Sequence, residues 1–120
     1  MSEYKTLQEI HNTLGITRRA IQGYEEIGLV RASDKNKYGY LLYGENELRR
    51  IEKIKMYQEF GLKLKEIKEL IDAPNHIVKA ALERQVEKLK KEQEKLNTLI
   101  SQAEAVIKEL NKEQATGGTI

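Results

Sequence analysis

The feature that most restricts the fold of this chain is a long stretch without proline or glycine, from about His76 to Glu113. The stretch is rich in Glu, Lys, Leu and Ala, which favour helix, and it predicts one helix of roughly 38 residues, about 57 Å long. Apolar side chains recur along it, and five of them are spaced by sevens: Leu82, Leu89, Leu96, Ala103 and Leu110. A period of seven is the period of a coiled coil.

So long a helix cannot pack along its whole length against a domain of about 70 residues. It therefore predicts a partner helix, most economically the same helix of a second copy. The predicted dimer contacts are Leu82, Val86, Leu89, Gln93, Leu96, Ile100, Ala103, Ile107 and Leu110. Gln93 interrupts the stripe, and either sets the register, as single buried polar residues do in coiled coils, or lies at an exposed edge.

Near the other end of the chain, two short helices are predicted around a glycine turn. Thr6 and Glu9 have the spacing of a capping box, which begins a first helix with apolar residues at 7, 10 and 14. Gly15 allows a sharp turn, and Thr17 is a preferred N-cap for the next helix. Two helices joined in this way are typical of a helix-turn-helix, whose second helix enters the DNA major groove.

The second of these helices has two distinct faces. Ile21, Tyr24 and Ile27 are spaced by three and predict the inner face. Arg18, Arg19 and Gln22 then fall on the outer face, where they suit either contact with DNA or a solvated basic surface. Residues 14–28 alone favour neither interpretation.

After Gly28 the pattern changes to short β-prone runs. Residues 29–32 and 40–43 predict the two strands of a small hairpin, with the polar loop Ser33–Gly39 between them. Its tip would carry Lys35, Asn36, Lys37 and Tyr38. A hairpin after a helix-turn-helix is a wing that lies beside DNA, although lysines at such a tip also keep a surface hairpin soluble.

A second helix pair follows at residues 45–60 and 64–71, separated by Gly61. In its first helix we expect apolar side chains inside and basic side chains outside; the first set is Leu48, Ile51, Ile54, Met56 and Tyr57, and the second is Arg49, Arg50, Lys53 and Lys55. Lys63 and Lys65 lie near the start of the second helix, where backbone amides favour phosphate. We expect this pair of helices mainly to complete the core.

Composition excludes several classes of function. The net charge is only +2, but residues 16–43 contain five basic side chains against three acidic ones, a local patch of the kind that attracts phosphate. Because the chain contains no cysteine, it has no disulfide and no thiolate metal centre. His11 and His76 are each alone, so we expect no metal and no cofactor. No apolar run is long enough to span a membrane, so we expect a cytoplasmic protein, associated with the nucleoid if it binds DNA. Because the carboxylates fall mostly on solvated helical faces and the sequence has no phosphate loop, we do not expect an enzyme.

In this order, the motifs resemble the MerR family of bacterial transcription regulators. The resemblance covers about residues 4–113. It rests on Gly-Ile-Thr at 15–17, Arg19, Tyr24–Leu29, Gly39–Tyr43, Glu59–Leu62 and Lys65–Leu70. It implies a mainly α fold: a winged helix-turn-helix domain with a small β-hairpin wing, followed by a long C-terminal helix that forms an antiparallel coiled-coil dimer.

The resemblance also implies a function. Such a homodimer would bind an inverted-repeat element in double-stranded DNA, within a promoter whose spacer is overlong, and would bend and untwist it so that RNA polymerase engages both promoter hexamers. The predicted DNA contacts are Thr17, Arg18, Arg19, Gln22, Tyr24, Lys35, Lys37, Tyr38, Tyr40, Lys63 and Lys65. Gln22, Gly23 and Leu41 depart from the family pattern and remove two customary cationic contacts.

We therefore expect a DNA-binding domain at residues 1–74, a dimerisation helix at 75–114 and a flexible tail at 115–120. Two alternatives stay open at this point. One is an architectural or recombination accessory factor of excisionase type without a sensor role. The other is a coiled-coil interaction protein with weakened DNA binding.

Overall fold

The computed structural model describes residues 4–117 and, within them, the side chains of residues 4–114. Five helices and one two-stranded antiparallel sheet follow one another along this part of the chain. Their bounds are α1 Leu7–Leu14, α2 Arg18–Glu26, β1 Asp34–Lys35, β2 Leu41–Leu42, α3 Glu45–Glu59, α4 Leu64–Leu70 and α5 Asn75–Gly117. The chain divides into two compact units between Ala80 and Ala81, within α5.

The predicted helix-turn-helix is confirmed, with both of its caps. The Thr6 hydroxyl accepts the N–H of Glu9 at 3.3 Å, and the Glu9 carboxylate accepts the N–H of Thr6 at 3.2 Å, which completes the capping box of α1. Gly15 ends α1 in the left-handed region at φ 71°. Thr17 then begins α2, because its hydroxyl accepts the N–H of Ala20 at 3.1 Å.

Apolar side chains from all four short helices and from the segments between them form the core of the first unit. The fully buried ones include Ile10, Ile21, Tyr24, Leu29, Tyr43, Ile51, Ile54 and Ile67. The prediction for Met56 was wrong, since 44% of its surface is exposed, whereas Tyr57 is buried. Tyr57 lies three residues after Ile54 on the same helical face, and Met56 is turned away from that face.

The hairpin exists, but its first strand was predicted too early. β1 is Asp34–Lys35, and it pairs with β2 through Asp34 opposite Leu42 and Lys35 opposite Leu41. The segment 29–32 is instead an irregular connection whose backbone is engaged elsewhere. The Leu29 N–H donates to the Tyr24 carbonyl at 2.8 Å, and the Leu29 carbonyl accepts the Nε–H of Arg50.

A backbone pairing that the sequence did not predict joins the start of the chain to the hairpin. Lys5 and Tyr43 exchange two backbone hydrogen bonds of 2.8 Å, in an antiparallel bridge. Tyr43 is completely buried, and its hydroxyl donates to the Glu25 carboxylate. This burial, together with the hydrogen bond to Glu25, raises the pKa of Tyr43 well above its ordinary value. The hairpin is thus attached to both α2 and the N-terminal segment.

Arg50 was predicted to point outward, but it is a structural residue. Its guanidinium donates to both carboxylate oxygens of Asp72, at 2.7 and 2.9 Å, in addition to its bond to the Leu29 carbonyl. The hydrogen bonds from Arg50 hold the pKa of the Asp72 carboxyl below its usual range. One side chain of α3 therefore ties the end of α4 to the segment after α2.

α5 confirms the long helix and extends it at both ends. It begins at Asn75, immediately after Pro74, and it reaches Gly117, so residues 115–117, which were predicted to belong to a flexible tail, are helical. Residues 118–120 lie outside the described residues. No helix among residues 4–117 is long and apolar enough to cross a membrane.

Candidate nucleic-acid interface

The outer face of α2 presents the three polar side chains that the sequence assigned to it. Arg18, Arg19 and Gln22 are all exposed. Their spacing of three and four residues places them together on one face, opposite the buried Tyr24. The first turn of α2 contains no acidic residue, so the two guanidinium groups add to the positive end of the helix dipole. This face suits a polyanion.

Thr17 and Tyr24 take different positions in the same helix. Thr17 is exposed, and its hydroxyl accepts a capping N–H while it remains able to donate a hydrogen bond. We predicted that Tyr24 contacts DNA, and the structure contradicts that prediction. Only 2% of Tyr24 is exposed, and its hydroxyl donates to Gln58 on α3 at 2.6 Å. Because Tyr24 lies on the inward face with Ile21, it is a core residue.

The wing exposes four more of the predicted contacts. Lys35 lies in β1, and the turn that follows carries Lys37, Tyr38 and Tyr40, of which the two tyrosines are 72% and 60% exposed. The ammonium of Lys37 lies 5.1 Å from the centroid of the Tyr38 ring, in a cation–π contact. Large aromatic surfaces left in water beside lysines are typical of a surface that a partner covers.

Asn36 organises this turn, and the sequence analysis gave it no role of its own. Its side-chain oxygen accepts the backbone N–H groups of Tyr38 and Tyr40, at 2.9 and 3.0 Å. Its own N–H donates to the Tyr40 carbonyl at 2.9 Å, and Gly39 supplies the left-handed residue at φ 85°. The signal was present in the sequence, because asparagine in a glycine-containing loop commonly bonds the backbone two residues later.

One hollow brings the helix and the wing together. It has a volume of about 340 Å³ and is lined by Arg18 at the start of α2, by Tyr40 and Leu41 of the wing, and by residues 6–8 at the start of α1. Arg18 and Tyr40 are the two predicted contacts in its wall. Leu41, where the family resemblance leads one to expect arginine, gives the hollow an apolar side.

Lys63 and Lys65 do not line this hollow. Both are exposed at the start of α4, where the N–H of Lys63 donates to the Glu66 carboxylate at 3.1 Å. Their role as DNA contacts stays a prediction. Within residues 4–117 no group of three or more His, Asp or Glu side chains is placed to hold a metal ion.

The apolar stripe of α5 is exposed along most of its length. Between 41% and 59% of each of its large members is accessible to solvent: Val86, Leu89, Leu96, Leu99, Ile100, Val106, Ile107 and Leu110. Gln93 and Ala103 are exposed too, and Leu82 is half-buried. Such a row of large apolar side chains on a polar helix is typical of an interaction surface.

Two family models match the chain. Residues 5–74 match the model described as MerR HTH family regulatory protein, and residues 48–112 match the model described as MerR, DNA binding. The chain is 34% identical over 94 residues to the HTH-type transcriptional activator mta of Bacillus subtilis, covering 78% of this chain and 37% of mta. It is 36% identical over 75 residues to the HTH-type transcriptional activator TipA of Streptomyces coelicolor, covering 62% of this chain and 30% of TipA. The chain thus spans about a third of the length of these relatives.

Solved structures show the same fold. The N-terminal part of the Bacillus subtilis multidrug transporter activator, MtaN, superimposes with a TM-score of 0.71 at 31% identity, covering 86% of this chain and 97% of MtaN. HiNmlR, a MerR family regulator lacking the sensor domain and solved bound to promoter DNA, has a TM-score of 0.68 at 19% identity, covering 96% of both chains. At that identity the likeness concerns the winged helix-turn-helix fold. The chain belongs to the MerR family of helix-turn-helix regulatory proteins.

Proposed function

We propose that this protein is a DNA-binding transcription regulator that acts as a homodimer. Each protomer would bind one half of an inverted repeat in a promoter, and the dimer would distort the spacer so that RNA polymerase can engage it. Such a protein works in the cytoplasm, at the nucleoid. The observation that carries the proposal is the hollow whose wall contains both Arg18 of α2 and Tyr40 of the wing.

The two halves of this surface suit different parts of DNA. Side chains on the outer face of a recognition helix reach base edges, where arginine pairs with guanine and glutamine with adenine. Arg19 and Gln22 have these chemistries and are exposed. Lysines and tyrosine hydroxyls of a wing suit phosphate and sugar, which position the protein but carry no sequence information.

Dimerisation is supported by the exposed stripe of α5. Fully burying a leucine or isoleucine side chain contributes about 1.5–3 kcal/mol, and covering one that is about half exposed contributes roughly half of that. A stripe of this length therefore supports a stable dimer even after the cost of association. A rigid two-fold dimer fixes the distance between its two recognition helices. DNA whose half-sites have another spacing must then deform, at a cost of roughly 1–10 kcal/mol that the additional contacts offset.

The test of DNA recognition starts from selection of bound DNA by the full chain. We expect an inverted repeat, and in genomic DNA we expect it inside promoter spacers. On the selected site, Arg19→Ala should weaken binding by about 1–3 kcal/mol, as expected for a base or close phosphate contact. Arg84→Ala, which removes an exposed arginine of α5, is the matched control and should leave the affinity unchanged. Equal affinities of the two variants for the selected DNA would show that Arg19 does not contact it.

The test of dimerisation is Leu96→Asp, at the middle of the stripe. Sedimentation should show monomers, because the substitution would bury a carboxylate in an apolar interface. Gln102→Asp adds the same charge on an exposed position outside the stripe and should remain dimeric. A Leu96→Asp protein that stays dimeric would place the interface elsewhere.

Transcription in vitro tests whether the protein changes the activity of a promoter or only binds to it. A promoter with an overlong spacer that contains the selected site should respond to the protein in the presence of RNA polymerase. Binding to that promoter without any change in transcript would favour the accessory-factor alternative.

A further inference from the structure

One side-chain hydrogen bond joins α2 to the wing. The wing comprises residues 33–43, and its last residue, Tyr43, is completely buried directly after β2. The Tyr43 hydroxyl donates to the carboxylate of Glu25, in the last turn of α2. Within residues 4–114 no other side-chain hydrogen bond connects α2 with the wing.

The wing needs this attachment because its own sheet is very small. Only two residue pairs join β1 to β2, and a two-stranded hairpin is at best marginally stable in water by itself. The backbone bonds at the base of the wing join Ser33 to Leu42 and Tyr43 to Lys5, and neither reaches α2. The position of the wing relative to α2 therefore depends on the side chains packed between them and on the bond from Tyr43 to Glu25.

The strand β2 runs alongside one edge of α2. At one end, Tyr40 and Leu41 line a hollow together with Arg18. At the other end, Tyr43 reaches Glu25. From Arg18 to Glu25 the helix rises by about 10 Å. Three steps of extended chain, from Tyr40 to Tyr43, also cover about 10 Å. Because the two lengths match, a bond at the far end determines where Tyr40 lies beside Arg18.

The surroundings of Glu25 suit a bond that controls position. Glu25 is half-buried, and a second hollow lined by Glu25, Leu41 and residues 28–32 lies next to it. Water can therefore hydrate the remaining lone pairs of the carboxylate. Burial of Tyr43, together with its bond to Glu25, raises the pKa of the Tyr43 hydroxyl, which remains a donor at neutral pH.

We infer that Glu25 and Tyr43 are positioning residues for DNA binding, because their hydrogen bond sets the place of the wing relative to α2. The lysines of the wing are then held beside the phosphates that flank the bases read by α2. This inference rests on the proposed function and extends it to two residues that contact no DNA themselves. Without the bond, the Tyr43 ring would still fill the core, but the wing could shift along α2.

Two substitutions at Glu25 separate the bond from the charge. Glu25→Gln and Glu25→Ala both remove a negative charge, but only glutamine keeps an oxygen that can accept the Tyr43 hydroxyl. On the selected DNA site, Glu25→Ala should bind roughly 2- to 12-fold more weakly than Glu25→Gln. The reason is that DNA must then order the wing, at a cost of up to one net hydrogen bond. Equal affinities of the two variants would overturn the role of the bond.

Tyr43→Phe tests the same bond from the other side, since it keeps the ring and removes only the hydroxyl. It should weaken DNA binding by a similar factor in the wild type and have no further effect in Glu25→Ala. Tyr24→Phe is the matched control, because it removes another buried hydroxyl bond of α2, to Gln58. It should lower the melting temperature and leave the affinity unchanged. Equal losses of affinity in Tyr43→Phe and Tyr24→Phe would assign the effect to stability and overturn the inference.

A double-mutant cycle shows whether the bond acts through the wing. Lys37→Ala should weaken binding less in Tyr43→Phe than in the wild type, because the shifted wing has already loosened the contact of Lys37 with phosphate. The salt dependence of binding should also be flatter in Tyr43→Phe, while the base preference stays the same. Fully additive losses would contradict an action through the wing.

Hydrogen exchange tests the loosened wing in the absence of DNA. In Tyr43→Phe the backbone N–H groups of Ser33 and Asn36, which bond within the wing, should exchange faster than in Tyr24→Phe. The N–H of Ile10 in α1 should exchange alike in both variants. Equal exchange at all three positions would contradict the inference.

The outcomes also separate this inference from the proposed function. A chain that selects no DNA would overturn both. A chain that selects an inverted repeat, with an affinity that Tyr43→Phe and Glu25→Ala leave intact, would overturn only the positioning role.

Discussion

Gly23 offers the sharpest test of how α2 is adapted to its partner. It lies inside α2, where glycine costs about 1 kcal/mol relative to alanine. A Cβ built at Gly23 meets no atom within 4 Å, apart from its chain neighbours and the backbone of its own helix, and its φ is not positive. Gly23→Ala should therefore raise the free energy of unfolding by on the order of 1 kcal/mol. For a unit of this size the melting temperature should rise by roughly 4–8 °C.

The assay is thermal unfolding at one fixed protein concentration, since the melting temperature of the proposed dimer would depend on concentration. Gly44→Ala is the matched control. A Cβ there would lie 2.9 Å from a Glu47 carboxylate oxygen and 3.3 Å from the Ser33 hydroxyl, and glycine is also the better N-cap. We expect no gain in stability from that substitution. A Gly23→Ala protein that is no more stable than the wild type would contradict the inference that a methyl group fits at position 23 without strain.

For the same variant, DNA affinity is expected to change in the opposite direction from stability. If Gly23 allows the DNA backbone to approach α2 closely, the added methyl group should weaken specific binding while it stabilises the fold. Unchanged affinity on the selected site would show that Gly23 is not needed for close approach. If Gly23 lies at the DNA contact, Gly23→Ala should be more stable and bind DNA more weakly. If glycine has no role in binding, the variant should be more stable with unchanged DNA affinity.

Three further changes separate structural from recognition roles. Tyr24→Phe should lower the free energy of unfolding by about 1 kcal/mol, through loss of the bond to Gln58, and leave DNA affinity unchanged in a gel-shift titration. Asn36→Ala should weaken DNA binding more than it lowers the melting temperature, and Asn36→Gln, whose oxygen lies one methylene further out, should not rescue it. Asp72→Asn should lower the free energy of unfolding, measured in urea at neutral pH, by less than about 1 kcal/mol, because the carboxylate is mostly exposed. Arg50 lowers the pKa of Asp72 in the folded state. The ion pair therefore contributes to stability above the pKa that Asp72 has in the unfolded chain, and this contribution is lost as the pH falls through the pKa of Asp72 in the folded state. The difference between Asp72→Asn and wild type should therefore vanish in acid; a difference that persists there would refute the role of the ion pair.

Local signals predicted the elements that depend on local physics. Thr6 and Thr17 begin their helices because their hydroxyls accept backbone N–H groups a few residues away, and both are visible as sequence spacings. Gly15 and Gly61 end helices in left-handed conformations that favour glycine. The length of α5 followed from the absence of proline and glycine. The exposed apolar face of α5 followed from the spacing of its apolar residues.

The errors concern residues whose role depends on distant partners. The segment 29–32 has β-prone composition, but the backbone of its first residue, Leu29, bonds to Arg50, about twenty residues away, and to the end of α2. Arg50 itself has the spacing of an outward residue, and only the position of Asp72 makes it a tie between elements. The Tyr24 prediction counted a family motif residue as a contact, although its own spacing placed it inside.

The bridge between Lys5 and Tyr43 has a practical consequence for work with this protein. It pairs Lys5 with the residue that follows β2, close to the segment that carries Tyr40 and Leu41. Any affinity tag or fusion partner joined in front of Lys5 is then attached to the proposed DNA-reading surface itself. Binding constants measured with such a fusion would include the charge and bulk of the tag, so titrations of operator DNA need protein from which the tag has been removed.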